Sequence, residues 1–285
     1  RYATVDRFFG LAVAGVPAAL LPGFRAARAR LAADAAALRP GHAVLFDRRR
    51  EFFAERALPE SQFSRFDASI LWASQANTVA AAFWTLRYLL GDPRAKAAVT
   101  EEVRTLSPAP SAAGDAEPLG RDALRRMVLL DSACSEAMRL TSAPMVLRRA
   151  SAAFELPLDR GDTLRVKAGD ELMLYPRHTH FDPELFPEPE RFRFDRFVDE
   201  RGRPTRFDKG GRRVTMPFLP FGGGVSMCPG RFFARNEIKI LVATLLGLLD
   251  TELASSAMPA LDFARVGLGV LPPLGDVTIR MRRRA

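Results

Sequence analysis

The chain has 285 residues, 48% hydrophobic and 26% charged, which is ample for a buried core and argues against a disordered acidic tail or a membrane-saturated transporter. Lys plus Arg exceed Asp plus Glu by 42 − 33 = 9, and Arg outnumbers Lys 38 to 4, so anionic partners are permitted. Two cysteines, Cys134 and Cys228, cannot build the disulfide framework of a small secreted fold.

The chain opens on Arg-Tyr-Ala-Thr, with no initiating Met, charged leader or cleavage site, and reads as part of a longer protein. An apolar run over 8–21 is interrupted by Gly10, Gly15 and Pro17, too short and broken to span a bilayer. Residues 24–39 predict an amphipathic helix that Pro40-Gly41 ends. Residues 68–86 carry no charge. They are long enough for a membrane span, but their polar centre, Ser74-Gln75-Ala76-Asn77-Thr78, predicts a helix buried in a large domain instead. Gly91-Asp92-Pro93 then ends it, with Asp92 placed to cap the next helix and Pro93 at its first position.

Residues 107–120 are small, polar and Pro-rich and predict a surface loop. A helical pattern covers 122–140 and stops near Pro144. Strand-like pieces follow at 146–149, 163–166 and 171–175, then an irregular, packed stretch over 182–220. A last helix is expected over about 229–248, with short strands in the tail and no internal repeat. The sum is a mainly α chain with a small β region.

The window Phe221-Gly222-Gly223-Gly224-Val225-Ser226-Met227-Cys228-Pro229-Gly230-Arg231 carries the most chemistry. Three glycines let a backbone fold tightly and approach a flat ligand. Cys228 precedes a helix start, where unpaired N–H groups favour a thiolate, and Phe221 is placed to wall the sulfur from water. Those are the needs of a single axial thiolate on haem iron.

On these residues the chain resembles the cytochrome P-450 superfamily, whose signature Phe-x-x-Gly-x-x-x-Cys-x-Gly is met by Phe221, Gly224, Cys228 and Gly230. Glu136-Ala137-Met138-Arg139 matches the family's Glu-x-x-Arg, and Pro189-Glu190-Arg191-Phe192 matches the segment whose Arg joins that pair. The i,i+3 spacing sets Glu136 and Arg139 on one helix face, where a carboxylate can hold guanidinium groups. Leu71-Trp72-Ala73-Ser74-Gln75-Ala76-Asn77-Thr78, Leu130-Asp131-Ser132 and Gly267-Leu268-Gly269-Val270-Leu271-Pro272-Pro273 are similar to the branch of sterol 7α-hydroxylases, sterol 12α-hydroxylases and prostacyclin synthases. Within it, Cys228-Pro229-Gly230-Arg231 and the Leu-Pro-Pro near the C-terminus look most like the cholesterol 7α-hydroxylases.

The resemblance implies the C-terminal portion, 1–285, of a single cytochrome P-450 domain whose membrane anchor and early helices lie outside this sequence. It implies haem b with Cys228 as axial ligand to the iron. Phe221, Gly222, Gly224 and Gly230 would shape the cofactor's loop, and Arg148 would either take the propionate contact that Ser226 cannot make or face solvent from a strand. Glu136, Arg139 and Arg191 would lock the scaffold, while Ala73, Asn77 and Thr78 would serve the oxygen side. The implied reaction is hydroxylation of a sterol or other lipid, as in bile acid synthesis, on the cytosolic face of the endoplasmic reticulum membrane.

Ala76 and Asn77 stand where most members place an acid and a Thr. Asn cannot ionise, so the acid step of a proton relay is absent. This leaves open an endoperoxide isomerase of the prostacyclin synthase type, or a truncated chain without catalysis. Arg231, Arg235 and Lys239 recur at four-residue spacing and present one helix face, either to an acidic NADPH-dependent flavoprotein reductase or to solvent. Nucleic acid is not an expected partner, because aromatic platforms do not interleave the basic residues. Cys134 reads as core, His178 and His180 as turn residues, and the run from Arg280 to Arg284 as a fraying end.

Overall fold

A computed structural model describes residues 2–37, 41, 44–107, 119–158 and 161–284. The loop expected over 107–120 lies almost wholly outside the described residues. The chain divides into two compact units, 1–78 and 79–285.

The first unit is helical: α1 (Tyr2–Val13), α2 (Phe24–Ala36), α3 (Val44–Glu55) and α4 (Glu60–Ala76). α1 stops before Gly15, whose φ of +90° only glycine adopts cheaply, and Pro17 follows. Val5, Leu21, Phe24 and Ala27 form the core. Trp72 packs against it, stacks on Phe9 at 3.7 Å and donates its indole N–H to Asp6 at 3.1 Å.

The single helix expected over 68–86 is two. α4 begins eight residues earlier than the uncharged run, and Asn77 (φ −103°, ψ −29°) separates it from α5 (Thr78–Gly91). Asn competes for local backbone hydrogen bonds and so favours helix ends. Burial changes there too: Ala73 is exposed, whereas Ala80, Ala81, Ala82, Trp84 and Leu89 of α5 are core.

In the second unit α6 (Pro93–Leu106) starts as expected, the Asp92 carboxylate accepting from the N–H groups of Arg94 and Ala95 at 3.0 Å each. The helix expected over 122–140 breaks at Met127 into α7 (Arg121–Arg126) and α8 (Val128–Thr141). The cause is tertiary. Glu102 of α6 caps the new N-terminus, accepting from Leu129 N at 2.8 Å and Leu130 N at 2.9 Å. Residues 132–141 of α8 are all buried. They pack with Trp84, Val99, Val103 and, from the last long helix, Ile238, Val242 and Leu246.

The strands form antiparallel pairs: β1 (Val146–Arg149) with β4 (Glu171–Leu174), and β2 (Phe154–Pro157) with β3 (Thr163–Val166). A four-residue helix, α9 (Arg177–His180), follows β4. After the short hairpin of β5 (Asp208–Lys209) and β6 (Arg212–Arg213) comes α10 (Arg231–Leu248), ending where the sequence placed it. β7 (Leu249–Leu253) pairs with β10 (Ile279–Arg283), enclosing the hairpin of β8 (Ala260–Leu261) and β9 (Pro273–Leu274). The basic tail is therefore a strand, not a frayed end. Its register sets Arg280 opposite Glu252, while Asp250 takes Arg282 at 3.3 Å and Arg284 at 3.0 Å. Among the described residues no helix is long and apolar enough to cross a membrane.

Candidate functional site

The loop before α10 is closed on itself. Cys228 N donates to Phe221 O at 3.0 Å, and Met227 N to Gly224 O at 3.1 Å. Gly222 (φ +70°) and Gly224 (φ +63°) occupy left-handed conformations that a side chain would strain, so this tight path requires glycine. Gly230 precedes α10 and sits so close to the thiol that a Cβ there would lie 3.8 Å from Cys228 Sγ. Cys228 is half-buried, and its carbonyl accepts from Arg231 NH1 at 3.1 Å. Phe221 packs against the main core, while Val225 at the loop tip is fully exposed.

Arg148 joins this loop. Its guanidinium donates to Gly223 O at 2.5 Å from strand β1, and a Cβ on Gly224 would lie 3.5 Å from the same nitrogen. It is thus drawn to the cysteine loop instead of facing solvent as an isolated strand residue.

The donor set fits a haem. The loop offers one thiol, on the half-buried Cys228, and no cluster of three His, Cys, Asp or Glu side chains forms among the described residues. A lone thiolate suits a macrocycle that brings its own in-plane ligands, and the loop's glycines carry no side chains to bar the approach of a flat group. Cys134 is the contrast: fully buried on α8, its thiol is pushed up to about 12, first by burial and then by the charge of Asp131.

Glu136 and Arg139 form the expected pair. The guanidinium donates to both carboxylate oxygens, at 2.7 and 2.8 Å, and neither side chain is exposed. The third member is Arg196, not Arg191. Arg196 Nε donates to Glu136 Oε1 at 2.8 Å, whereas the Arg191 side chain lies at the surface on Glu188, 3.1 Å away. Only the carbonyl of Arg191 enters the network, accepting from Arg196 NH2 at 3.0 Å. The signal was present, since Asp195-Arg196-Phe197 repeats the acid-Arg-Phe pattern of Glu190-Arg191-Phe192 five residues later. The backbone path through 187–196 decides between them, because Arg196 also binds the carbonyl of Pro187 at 2.7 Å. Burial holds the Arg196 guanidinium below its ordinary range, opposed by Glu136.

His180, read as a turn residue, proves to be a link. Its carbonyl accepts from Arg139 NH1 at 2.5 Å, and its ring Nε2 accepts from Leu219 N at 3.0 Å, two residues before Phe221. Burial, then the charges of Arg139 and Arg177, lower its pKa to about 3, so the ring is neutral.

The row Arg231, Arg235 and Lys239 is not a free face. Arg235 is held by Asp131 at 2.7 Å and Ser135 at 3.0 Å, and Lys239 is buried against Leu124 O and Asp131. The spacing found the common helix face, but that face meets α7 and α8. Ala73, Asn77 and Thr78 belong to the first unit and Cys228 to the second; Ala73 is exposed, Asn77 half-buried and Thr78 buried.

The Cytochrome P450 family model matches residues 63–279. Cytochrome P450 7A1 of Rattus norvegicus is 36% identical to the chain, over 97% of it and 57% of the relative. Cholesterol 7-alpha-monooxygenase of Cricetulus griseus is 35% identical, with the same coverage of each. The 7-alpha-hydroxycholest-4-en-3-one 12-alpha-hydroxylase of Homo sapiens is 36% identical over 81% of the chain and 47% of that relative. The chain thus spans about half the length of the curated relatives it matches.

Proposed function

Since the chain belongs to the cytochrome P450 family, we propose that it serves a haem-thiolate monooxygenase that hydroxylates a sterol. Dioxygen would be the oxidant, with electrons drawn from NADPH through an acidic flavoprotein reductase. The observation that supports this most is the closed Phe221–Cys228 loop, which presents a half-buried thiol three residues before α10. The names of the relatives point to sterol hydroxylation, at the 7α position first, and such a step would serve bile acid synthesis. Such a reaction belongs on the endoplasmic reticulum membrane, where its lipid substrate partitions.

Cys228 would ligate the iron of haem b through Sγ. When bound, that group supplies the redox centre at which dioxygen is activated and one oxygen atom transferred. Phe221 would limit water at the sulfur, and the positive-φ glycines Gly222 and Gly224, with Gly230 beside the thiol, would let backbone instead of side chain meet the cofactor. Arg148, held on Gly223 O, has guanidinium hydrogens directed to this loop and would pair with a propionate carboxylate. Glu136, Arg139 and Arg196 fix α8 and the stretch that leads into the loop. On the oxygen side Ala73 would border the pocket. Asn77 and Thr78 would each hold a water or a substrate hydroxyl by hydrogen bonding, because neither ionises near neutral pH.

The same non-ionising Asn77 favours a second reading, isomerisation of a lipid endoperoxide, which needs neither NADPH nor dioxygen. Turnover of cholesterol by the whole protein, with reductase and with or without NADPH, separates the two. A 7α-hydroxylated product formed only with NADPH is expected. Absence of any sterol product, with NADPH-independent rearrangement of an endoperoxide, would move the protein to the isomerase class.

A further inference from the structure

The second unit carries a cleft of about 660 Å³ bordered by α7, α8, α10 and residues 197–204. Its volume lies in the range of small-molecule sites. The walls are aromatic: Phe197 and Phe218 pack at 4.9 Å between centroids, and Phe232 presents a ring that is 67% exposed. Among the described ring contacts Phe232 meets the Arg231 guanidinium, which lies over the ring at 4.3 Å and leaves apolar surface in solvent.

The rest of the lining mixes small and apolar residues with cations. Arg121, Arg125, Arg235 and Lys239 contribute four positive charges, against the one carboxylate of Asp131. That carboxylate is held by Arg235 at 2.7 Å and Lys239 at 3.4 Å, so two cations already compensate it. Arg125 is paired with Asp122, but that pair stands in solvent, where such contacts are weak and readily exchanged. The lining therefore keeps a net positive charge above an apolar floor.

We propose that this cleft binds a small amphipathic monoanion, with a flat apolar body against Phe218 and Phe232 and a carboxylate or sulfonate head among Arg121, Arg125 and Arg235. A neutral apolar molecule would leave the cationic rim unused, and a compact polyanion would leave the aromatic walls wet. The site is separate from the Cys228 loop in its lining, and its occupancy does not depend on haem.

Titration of the purified whole protein with naphthalenesulfonate by calorimetry, beside uncharged naphthalenemethanol, tests this. Saturable one-to-one binding of the anion is expected, weakening as salt is raised. The uncharged probe should bind about tenfold more weakly or worse, as should the anion to Phe232→Ser and to the double variant Arg121→Glu/Arg125→Glu. These positions are exposed, and circular dichroism checks that each variant keeps its helices. Equal binding of the two probes, unchanged affinity in either variant, or uptake without saturation overturns the proposal.

Discussion

The Glu136 network and the Cys228 loop lie in the same unit and are held by opposite means. Glu136, Arg139 and Arg196 are at most 5% exposed, and Glu136 accepts four hydrogen bonds, the fourth from Arg193 N at 3.2 Å. Arg139 is packed further between the rings of Phe181 and Phe186, at 5.5 and 5.0 Å. The cysteine loop has a half-buried thiol, two glycines at positive φ and a few backbone hydrogen bonds. Charge sealed inside the fold must be fully paired, or it destabilises. A loop that receives a ligand must leave surface open. The contrast suits one region to stability and, under the proposed function, the other to chemistry.

The largest expected effect lies in the network. Arg196→Ala leaves the Glu136 carboxylate short of a cation in the interior and should cost about 3–5 kcal/mol in urea unfolding. Arg191→Ala removes only a surface pair and should stay within about 0.5 kcal/mol. Equal effects would erase the distinction between the two arginines.

The link between the regions is next. His180 takes up its proton near pH 3 in the folded chain but near 6.5 when free. Above 6.5 both states are neutral and the group contributes no pH dependence. Between 6.5 and 3 the unfolded chain binds more protons, so stability falls with pH, by roughly 2 kcal/mol at pH 5. His180→Gln keeps an acceptor for Leu219 N without a titrating ring. Urea midpoints at pH 7 and pH 5 should show the variant losing less stability than the parent on acidification.

The smallest effect belongs to the loop. Gly224→Ala at φ +63° should cost about 1–2 kcal/mol in thermal unfolding, with the helices intact. A neutral outcome would mean that the loop relaxes freely and does not hold Cys228 in place.

Local signals made much of this fold legible. The Asp92 cap, strand β1, the C-terminal end of α10 and the cysteine loop each follow from residues adjacent in sequence, where turn chemistry and capping act. What escaped was set by distant partners. Met127 breaks a continuous helical pattern because Glu102, on another helix, caps α8. Arg196 replaces Arg191 because the carbonyls of Pro187, Glu188 and Arg191 converge on it. Lys239 turns inward because Leu124 and Asp131 wait there. Spacing identifies a helix face but not what the face meets.

The central claim is that Cys228, not Cys134, presents the ligand. The direct measurement is the absorption spectrum of the ferrous carbonyl complex, comparing the parent protein with Cys228→Ser and Cys134→Ser. The account predicts the red-shifted Soret band of thiolate ligation in the parent and in Cys134→Ser, and its loss in Cys228→Ser. Survival of that band in Cys228→Ser would contradict the assignment outright.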